Sequence, residues 1–176
     1  VYSEYTGNKK IPVPNKPGLC LAKYGDPGYG ELVKRDKYSP KKRFCDELVG
    51  KSAKVLRPLV NEKEIKYITC VPSLRSDIVL DFSNRLAESL GLTFVELLKK
   101  SNTRQQKEMQ NSSYQCGNAM HSFSLLDGVE VPDKVLLVDD VVDSRWTLTA
   151  CGYYLSQGGC GEIYPFALAD SSQKED

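Results

Sequence analysis

The sequence predicts an α/β domain with a mainly parallel sheet, helices on both faces of that sheet and an irregular N-terminal segment. Three observations lead to this fold class. Short apolar runs alternate with segments of helical periodicity along most of the chain. The run Val135–Val138 is wholly aliphatic, which is typical of a buried strand. The length of 176 residues fits one compact domain with a small appendage.

The N-terminal part has two predicted pieces. Residues 1–30 are rich in proline and glycine, which favours an extended segment lying over a core. Ser39-Pro40 has the pattern of a helix start, and apolar side chains from Phe44 to Val60 follow at helical spacing. One amphipathic helix is therefore predicted over residues 40–61.

The rest of the chain alternates between strand and helix patterns. Ser76 is placed to cap a helix that Gly91 ends, and a second helix begins near Thr147 and ends at Gly158-Gly159. Residues 99–118 form a long polar stretch with four glutamines and three asparagines, which indicates a functional or disordered loop. Strands are predicted at residues 67–71, 93–98, 121–126, 135–138 and 163–168.

These elements suggest a division of the chain into three parts. Residues 1–62 would form the extended segment plus the amphipathic helix, packed on the core. Residues 63–170 would form the α/β core, and residues 171–176 a polar tail.

Composition restricts the classes of protein. No apolar run approaches the roughly 18–20 residues of a membrane helix, and no signal peptide is visible. The six cysteines include no CxxC pair and His121 is the only histidine, which argues against a zinc site of the usual spacing. Cys70 and Cys151 fall in predicted buried elements, as reduced thiols of a cytoplasmic protein would.

Charge is unevenly distributed along the chain. Residues 1–66 carry a net charge of +7, and residues 127–176 carry −7. The basic N-terminal region is either a DNA-binding surface or a solvated helix face with its loops. A GxxxxGK[ST] phosphate loop is absent from the sequence, so these residues do not encode an ATPase motor.

Asp139 and Asp140 follow the strongest predicted strand directly. Neighbouring strand residues point to opposite faces, so one carboxylate can face a ligand while the other turns inward. A carboxylate at that position can accept hydrogen bonds from ribose hydroxyls or hold a hydrated magnesium ion. Alternatively, the pair only caps the turn that follows.

Three further segments have candidate ligand-binding groups. In the turn Asp143–Thr147, the backbone N–H groups and the hydroxyls of Ser144 and Thr147 can hold a phosphate, or Ser144 is only a helix cap. In the loop after the first core strand, Arg75 either pairs with a phosphate or lies on the surface. In the long polar loop, Arg104 and its neighbouring amides either cover a polar ligand or are simply solvated.

Together these segments resemble the type I phosphoribosyltransferase family, whose signature is an apolar strand, two acids, a short turn with Ser/Thr and Gly, and a threonine. The resemblance implies that Asp139 and Asp140 contact the ribose hydroxyls and the Mg²⁺ of phosphoribosyl pyrophosphate, with residues 99–118 as a flexible loop. The remaining binding residues that it implies are Asp143, Ser144, Arg145, Trp146 and Thr147 for the 5′-phosphate, Ser73, Leu74 and Arg75 for the pyrophosphate, and Arg104 and Gln106 in the flexible loop.

The chain also looks like the phosphoribosyltransferase-like domain at the C-terminus of some bacterial RecQ DNA helicases. The matching pieces include Gly25–Gly30, Val71–Ser73, Gln105–Ser112, Gln115–Asn118, Val135–Thr147 and Pro165–Ala169. One departure stands out, because Arg145 occupies a position that is normally glycine in the family's turn. Glycine lets backbone N–H groups approach a phosphate closely, so the arginine indicates lost or altered catalysis.

These resemblances imply several functions. The first is an accessory domain of a RecQ-type, ATP-dependent DNA helicase in DNA repair and recombination, which binds a phosphorylated ligand or serves as an interaction platform. The second is an active Mg²⁺-dependent transferase that acts on a nucleobase or related amine, although no residue stands out as its general base. The third is an adaptor that binds DNA or resembles the competence protein ComF.

Overall fold

The computed structural model describes residues 13–101, 117 and 119–172. Its helices are α1 (Tyr29–Lys37), α2 (Asp46–Lys63), α3 (Ile78–Leu90) and α4 (Trp146–Gln157), with a further helical turn at residues 119–122. Its strands are β1 (Leu19–Lys23), β2 (Tyr67–Cys70), β3 (Thr93–Phe94), β4 (Leu98–Lys100), β5 (Phe123–Leu125), β6 (Lys134–Val142) and β7 (Glu162–Asp170).

The main sheet has five strands in the order β1-β7-β6-β2-β3, and every neighbouring pair is parallel. This arrangement confirms the predicted mainly parallel sheet. Strands β4 and β5 form a separate antiparallel pair. Because parallel strands end at the same edge of a sheet, the segments that follow β2, β6 and β7 leave from one edge, where α/β proteins bind ligands.

Alternate side chains of β6 enter two apolar cores. Leu136 and Val138 pack with α1, α2 and α3, whereas Val135 and Leu137 pack with α4, β4 and β5. All four side chains are completely buried. The helices therefore cover both faces of the sheet, as the sequence predicts.

Two elements of the N-terminal part were not anticipated by the sequence analysis, namely β1 and α1. Strand β1 pairs with β7 at one edge of the main sheet, and α1 packs close to the end of β1. Gly30 permits this approach, because a Cβ atom there would collide with the carbonyl oxygen of Lys23. Gly30 thus allows α1 to pack closely against β1, although a segment rich in glycine and proline does not itself indicate a helix.

The amphipathic helix exists but begins later than predicted, at Asp46 rather than at residue 40. Lys42 has a positive φ of 45°, which a helix cannot accommodate. Cys45 is extended, and its backbone N–H donates to the carboxylate of Asp36 at 2.8 Å. A side chain from the preceding helix therefore fixes the start of α2.

The predicted strand over residues 93–98 divides between the two sheets. Thr93–Phe94 pairs with β2, and Leu98–Lys100 pairs with β5. The predicted strand at residues 121–126 is shortened to β5, because the chain is still helical at residues 119–122. The carbonyl oxygen of Ser122 accepts a hydrogen bond from the backbone N–H of Ser101 at 2.8 Å, just beyond β4.

The helix predicted between Ser76 and Gly91 is confirmed. Helix α3 ends at Leu90, and Gly91 adopts the left-handed conformation with a φ of 70°. Cys70 and Cys151 are buried free thiols, as the sequence predicts. Among the described residues, no helix has the length and apolarity needed to cross a bilayer.

Candidate ligand site at the carboxyl edge of the sheet

Strand β6 continues through the two aspartates to Val142, whereas the sequence predicts a strand that ends at Val138. Asp139 lies opposite Ala167 of β7, and the pairing extends to Val142 opposite Asp170. The ladder continues because β7 is equally long and pairs through its backbone, which does not require apolar side chains. The acid pair therefore sits on rigid backbone just before the turn.

The carboxylate of Asp139 is half-buried and faces the turn that leads into α4. Its Oδ1 atom accepts the backbone N–H of Asp140 at 2.8 Å. Burial disfavours the charged form, and the neighbouring Asp140 carboxylate adds repulsion, so that together they raise the pKa of Asp139 to about 8. A carboxyl group with a strongly raised pKa, at the edge of the sheet where a ligand is expected, is a candidate functional group.

Asp140 lies near α1. Its Oδ2 atom forms an ion pair with Nζ of Lys37 at 3.0 Å, and its Oδ1 atom accepts the backbone N–H of Val141 at 2.7 Å. The two aspartates thus have different partners, in keeping with the opposite directions of neighbouring strand residues.

A magnesium ion shared by the two aspartates does not fit these contacts. The Oδ2 atom of Asp140 already pairs with the ammonium group of Lys37 at 3.0 Å, and a positive charge at that distance opposes binding of a cation to the same oxygen. Within the described residues, no group of three or more His, Cys, Asp or Glu side chains is arranged to hold a metal. Magnesium ligation by Asp139 and Asp140 stays a prediction, and the structure gives Asp140 another partner.

The turn before α4 has an unusual backbone at Arg145. This residue has φ 65° and ψ −4°, in the left-handed region that favours glycine. Arg145 is the N-cap of α4, and its carbonyl oxygen accepts the backbone N–H of Thr149 at 3.1 Å. Arg145 therefore adopts a backbone conformation that glycine adopts more readily than any other residue.

The N-cap of α4 is Arg145 rather than Ser144, and the N-cap side chain makes no capping hydrogen bond. A cavity of about 100 Å³ opens between the turn and Asp139, and Asp140 does not line it. Its polar lining comes from Asp139, Asp143, Ser144, Arg145 and Thr147.

Trp146 is the first residue of α4 and packs against the apolar core on that face of the sheet. It does not line the 100 Å³ cavity. Its predicted contact with a ligand stays a prediction.

The loop after β2 leaves the sheet beside the acid pair, because the N–H of Val71 donates to the carbonyl of Val138 at 2.9 Å. Within the loop, Ser73 Oγ accepts the N–H of Arg75 at 3.2 Å, and Leu74 is 57% exposed. Ser76 Oγ accepts the N–H of Ile78 at 3.2 Å, which supports the start of α3.

Ser73 borders a second cavity, of about 80 Å³, that Asp139 does not line. Glu96 lies in the wall of this cavity and was not a candidate in the sequence analysis. In the sequence, Glu96 is the single acidic residue within the apolar run Phe94–Leu98, and this exception to the pattern could have indicated it. The structure thus places the predicted pyrophosphate loop and the predicted phosphate turn at one edge of the sheet but in separate cavities.

Arg104 and Gln106 lie outside the described residues, as does most of the predicted flexible loop. Lys37 forms an ion pair with Asp140 that the sequence did not predict. It lies in a helix that was not predicted, so its sequence context gave no signal of a partner in β6.

Solved structures share this architecture at low sequence identity. A Trypanosoma cruzi hypoxanthine phosphoribosyltransferase is 17% identical with a TM-score of 0.50, covering 70% of this chain and 63% of that protein. The structure of an HPRT asparagine mutant, made to analyse an invariant aspartic acid, is 13% identical with the same TM-score, covering 70% and 64%. The chain has the phosphoribosyltransferase fold. Its β6, the turn and α4 form the strand, turn and helix that the sequence pattern predicts.

Two curated proteins match about half of this phosphoribosyltransferase-fold chain. Competence protein ComFC of Streptococcus pneumoniae is 29% identical over 83 residues, which is 47% of this chain and 37% of that protein. Adenine phosphoribosyltransferase of Bordetella pertussis is 34% identical over 88 residues, which is 48% and 46%. The chain thus spans less than half the length of either relative. No family model matches.

Proposed function

We propose that this chain is a phosphoribosyltransferase-fold accessory domain that binds a phosphorylated ligand such as phosphoribosyl pyrophosphate, with weak or no transferase activity. The observation that carries the proposal is the cavity of about 100 Å³ in which Asp139 faces the turn before α4. A carboxyl group and a helix start on opposite walls suit a ribose hydroxyl and a phosphate at the two ends of one small molecule.

The start of α4 suits a phosphate. The first N–H groups of a helix lack partners within the helix and carry a partial positive charge. The N-cap residue Arg145 makes no side-chain capping hydrogen bond at this helix start. Arg145 adds a guanidinium group, and Thr147 adds a hydroxyl, to the same cavity.

Arg145 also supports weak turnover. Its side chain occupies space at the phosphate turn that a glycine leaves open, which hinders close approach of the backbone N–H groups to a phosphate. Transfer from phosphoribosyl pyrophosphate depends on accurate positioning of the leaving group, so a shifted phosphate reduces catalysis more than binding. Binding without rapid turnover is the expected behaviour.

The parent protein in this proposal is a RecQ-type DNA helicase of the cytoplasm. The motifs from Gly25 to Ala169 support this placement through their resemblance to the C-terminal domain of such helicases. In that setting, the rest of the helicase would make most of the contacts with DNA.

Calorimetry with phosphoribosyl pyrophosphate tests the ligand site. We expect the wild-type chain to bind, and the double variant Asp139→Asn with Asp140→Asn to lose binding. Asp127→Asn is a matched control, because the side chain of Asp127 is 99% exposed and lies outside the cavity. Absence of both binding heat and a thermal shift in the wild type would rule out the proposed ligand.

An active Mg²⁺-dependent transferase is the first alternative, and the partial match to adenine phosphoribosyltransferase favours it. Release of pyrophosphate on mixing phosphoribosyl pyrophosphate with adenine and Mg²⁺ would support this alternative. Binding of phosphoribosyl pyrophosphate without release would support the accessory domain.

A ComF-like or DNA-binding adaptor is the second alternative, favoured by the match to ComFC and by the basic residues before α2. Lys41, Lys42 and Arg43 are exposed, although Arg43 also lies 3.5 Å from Asp46 and from Asp81. A DNA mobility shift that weakens with salt and disappears on charge reversal at Lys41 and Lys42 would support the adaptor.

A further inference from the structure

Lys37 pairs with one of the two aspartates at the proposed site. It is the last residue of α1, and its Nζ atom lies 3.0 Å from Oδ2 of Asp140 in β6. The lysine side chain is 26% exposed and the aspartate side chain 13%. A lysine at a helix C-terminus also interacts favourably with the helix dipole, so two effects hold the ammonium group in this position.

The surroundings restrict movement of this pair. Oδ1 of Asp140 accepts the N–H of Val141 at 2.7 Å, which fixes the orientation of the carboxylate toward Lys37. The backbone N–H of Tyr24, which follows β1, donates to the carbonyl oxygen of Asp170 at 2.9 Å and holds the chain before α1 on the sheet. Helix α1 itself is held against β1 by the close packing at Gly30.

The ammonium group occupies the place that a divalent cation would take beside Asp140. A metal ion coordinated by Oδ2 would lie a few ångströms from a fixed positive charge, and like charges at that distance repel strongly where water is largely excluded. A divalent ion would therefore have to displace Lys37. Displacement would cost the ion pair with Asp140, whose two side chains are 26% and 13% exposed and are therefore only partly screened by water.

We propose that Lys37 is a specificity-determining residue whose ammonium group is the permanent counter-ion of Asp140, so that the site engages its ligand without a divalent metal ion at Asp140. The metal-exclusion part depends only on the ion pair. The ligand part rests on the proposed function, because it assumes that a sugar phosphate occupies the adjacent cavity.

Titration with Mn²⁺, followed by the electron paramagnetic resonance signal of the free ion, tests metal exclusion without any ligand. We expect Lys37→Met to bind Mn²⁺ at least about 10-fold more tightly than the wild type, because the carboxylate of Asp140 loses its positively charged partner. Adding Asp140→Asn to Lys37→Met should remove the gain. Lys34→Met is the matched control, since it removes an exposed positive charge from the same helix and should leave Mn²⁺ affinity unchanged.

Two results would overturn metal exclusion. One is a wild-type chain that binds Mn²⁺ as tightly as Lys37→Met and loses that binding on Asp140→Asn. The other is a folded Lys37→Met variant, checked by circular dichroism, with no gain over the wild type. If Lys37→Met does not fold, the wild-type and Asp140→Asn chains decide alone, and equal Mn²⁺ affinity of the two supports the proposal.

Ribose 5-phosphate is the probe for the ligand part, because it lacks the pyrophosphate that would itself bind metal. We expect its affinity for the wild type to be the same within about 2-fold in Mg²⁺ and in EDTA. A loss of affinity in EDTA would overturn the metal-free site. Absence of ribose 5-phosphate binding under both conditions would count against the proposed function and the ligand part, while the Mn²⁺ result would still decide metal exclusion.

Discussion

Arg145 has a left-handed backbone, with a φ of 65°, that a glycine would adopt without strain. A left-handed backbone costs a non-glycine residue roughly 1–2 kcal/mol, because its Cβ approaches the following carbonyl oxygen. The surrounding structure imposes that conformation here, since Arg145 joins rigid strand β6 to the buried helix α4. Such local strain is characteristic of binding and catalytic sites.

Arg145→Gly should relieve this strain. Part of the gain is offset by the extra flexibility of glycine in the unfolded chain, which leaves a net stabilisation of about 0.5–1 kcal/mol. The midpoint of urea unfolding measures this change. Arg145→Ala is the control, because alanine keeps the Cβ atom and hence the strain, so equal shifts for the two variants would contradict the explanation.

At the scale of secondary-structure elements, α1 connects parts of the fold that are distant in sequence. Its N-terminus packs against the end of β1 at Gly30, and its Asp36 accepts the N–H of Cys45 at the start of α2. Its last residue, Lys37, reaches β6. Changes in α1 should therefore affect both stability and the site.

Gly30→Ala should destabilise the chain by about 1–3 kcal/mol, because its Cβ would overlap the backbone oxygen of Lys23, which no rotamer change can move away. Gly50→Ala is the matched control within α2. Among the described residues, none outside the helix backbone lies within 4 Å of a Cβ built on Gly50, so this substitution should stabilise the helix by about 0.5–1 kcal/mol. Thermal unfolding of both variants measures the contrast, and destabilisation by Gly50→Ala would refute it.

Asp36 should make stability depend on acid pH. Burial opposes its charged form, but hydrogen bonds from Arg35 at 2.7 Å and from Cys45 at 2.8 Å outweigh this effect and lower the pKa of Asp36. Because the folded pKa lies below the unfolded value of about 3.9, its contribution is complete above that value and is lost as pH falls through the folded pKa.

Asp36→Asn should cost about 1–3 kcal/mol at pH 7, because the backbone N–H of Cys45 loses a charged acceptor. The difference from the wild type should shrink as pH decreases from 5 to 2. Urea unfolding at several pH values measures both quantities. A difference that stays constant over this range would show that the charge of Asp36 does not contribute.

At the scale of the whole molecule, β1 completes the main sheet. It covers the outer edge of β7, a strand that is buried from Ile163 to Ala169. An uncovered buried strand would present unpaired backbone groups and apolar side chains to other chains. The N-terminal residues therefore protect the sheet as well as extend it.

A chain that begins at Tyr24 should aggregate and lose cooperative unfolding, because β7 becomes an edge strand. A chain that begins at Val13 keeps every described contact and is the control. Size-exclusion chromatography with urea unfolding compares the two. A monomeric, cooperatively folded chain from Tyr24 onward would show that β1 is dispensable.

Sequence periodicity by itself determined the parallel α/β class, helix α3 with its glycine stop, and the place of the acid pair next to a turn and a helix. These features depend on neighbouring residues, whose apolar pattern and turn chemistry act locally. The extension of β6 through Asp139 and Asp140 does not follow from neighbouring residues, because the length of its partner β7 determines where β6 ends.

Only the tertiary structure decided the partner of Asp140, the left-handed backbone of Arg145 and the place of β1 beside β7. Each depends on a contact or constraint between segments that are far apart along the chain. A breaker-rich segment such as residues 18–30 has no periodic pattern to indicate which strand it will join or which carboxylate the following helix will reach. Packing against the finished sheet selects those contacts, because the buried backbone and charged groups must find their partners there.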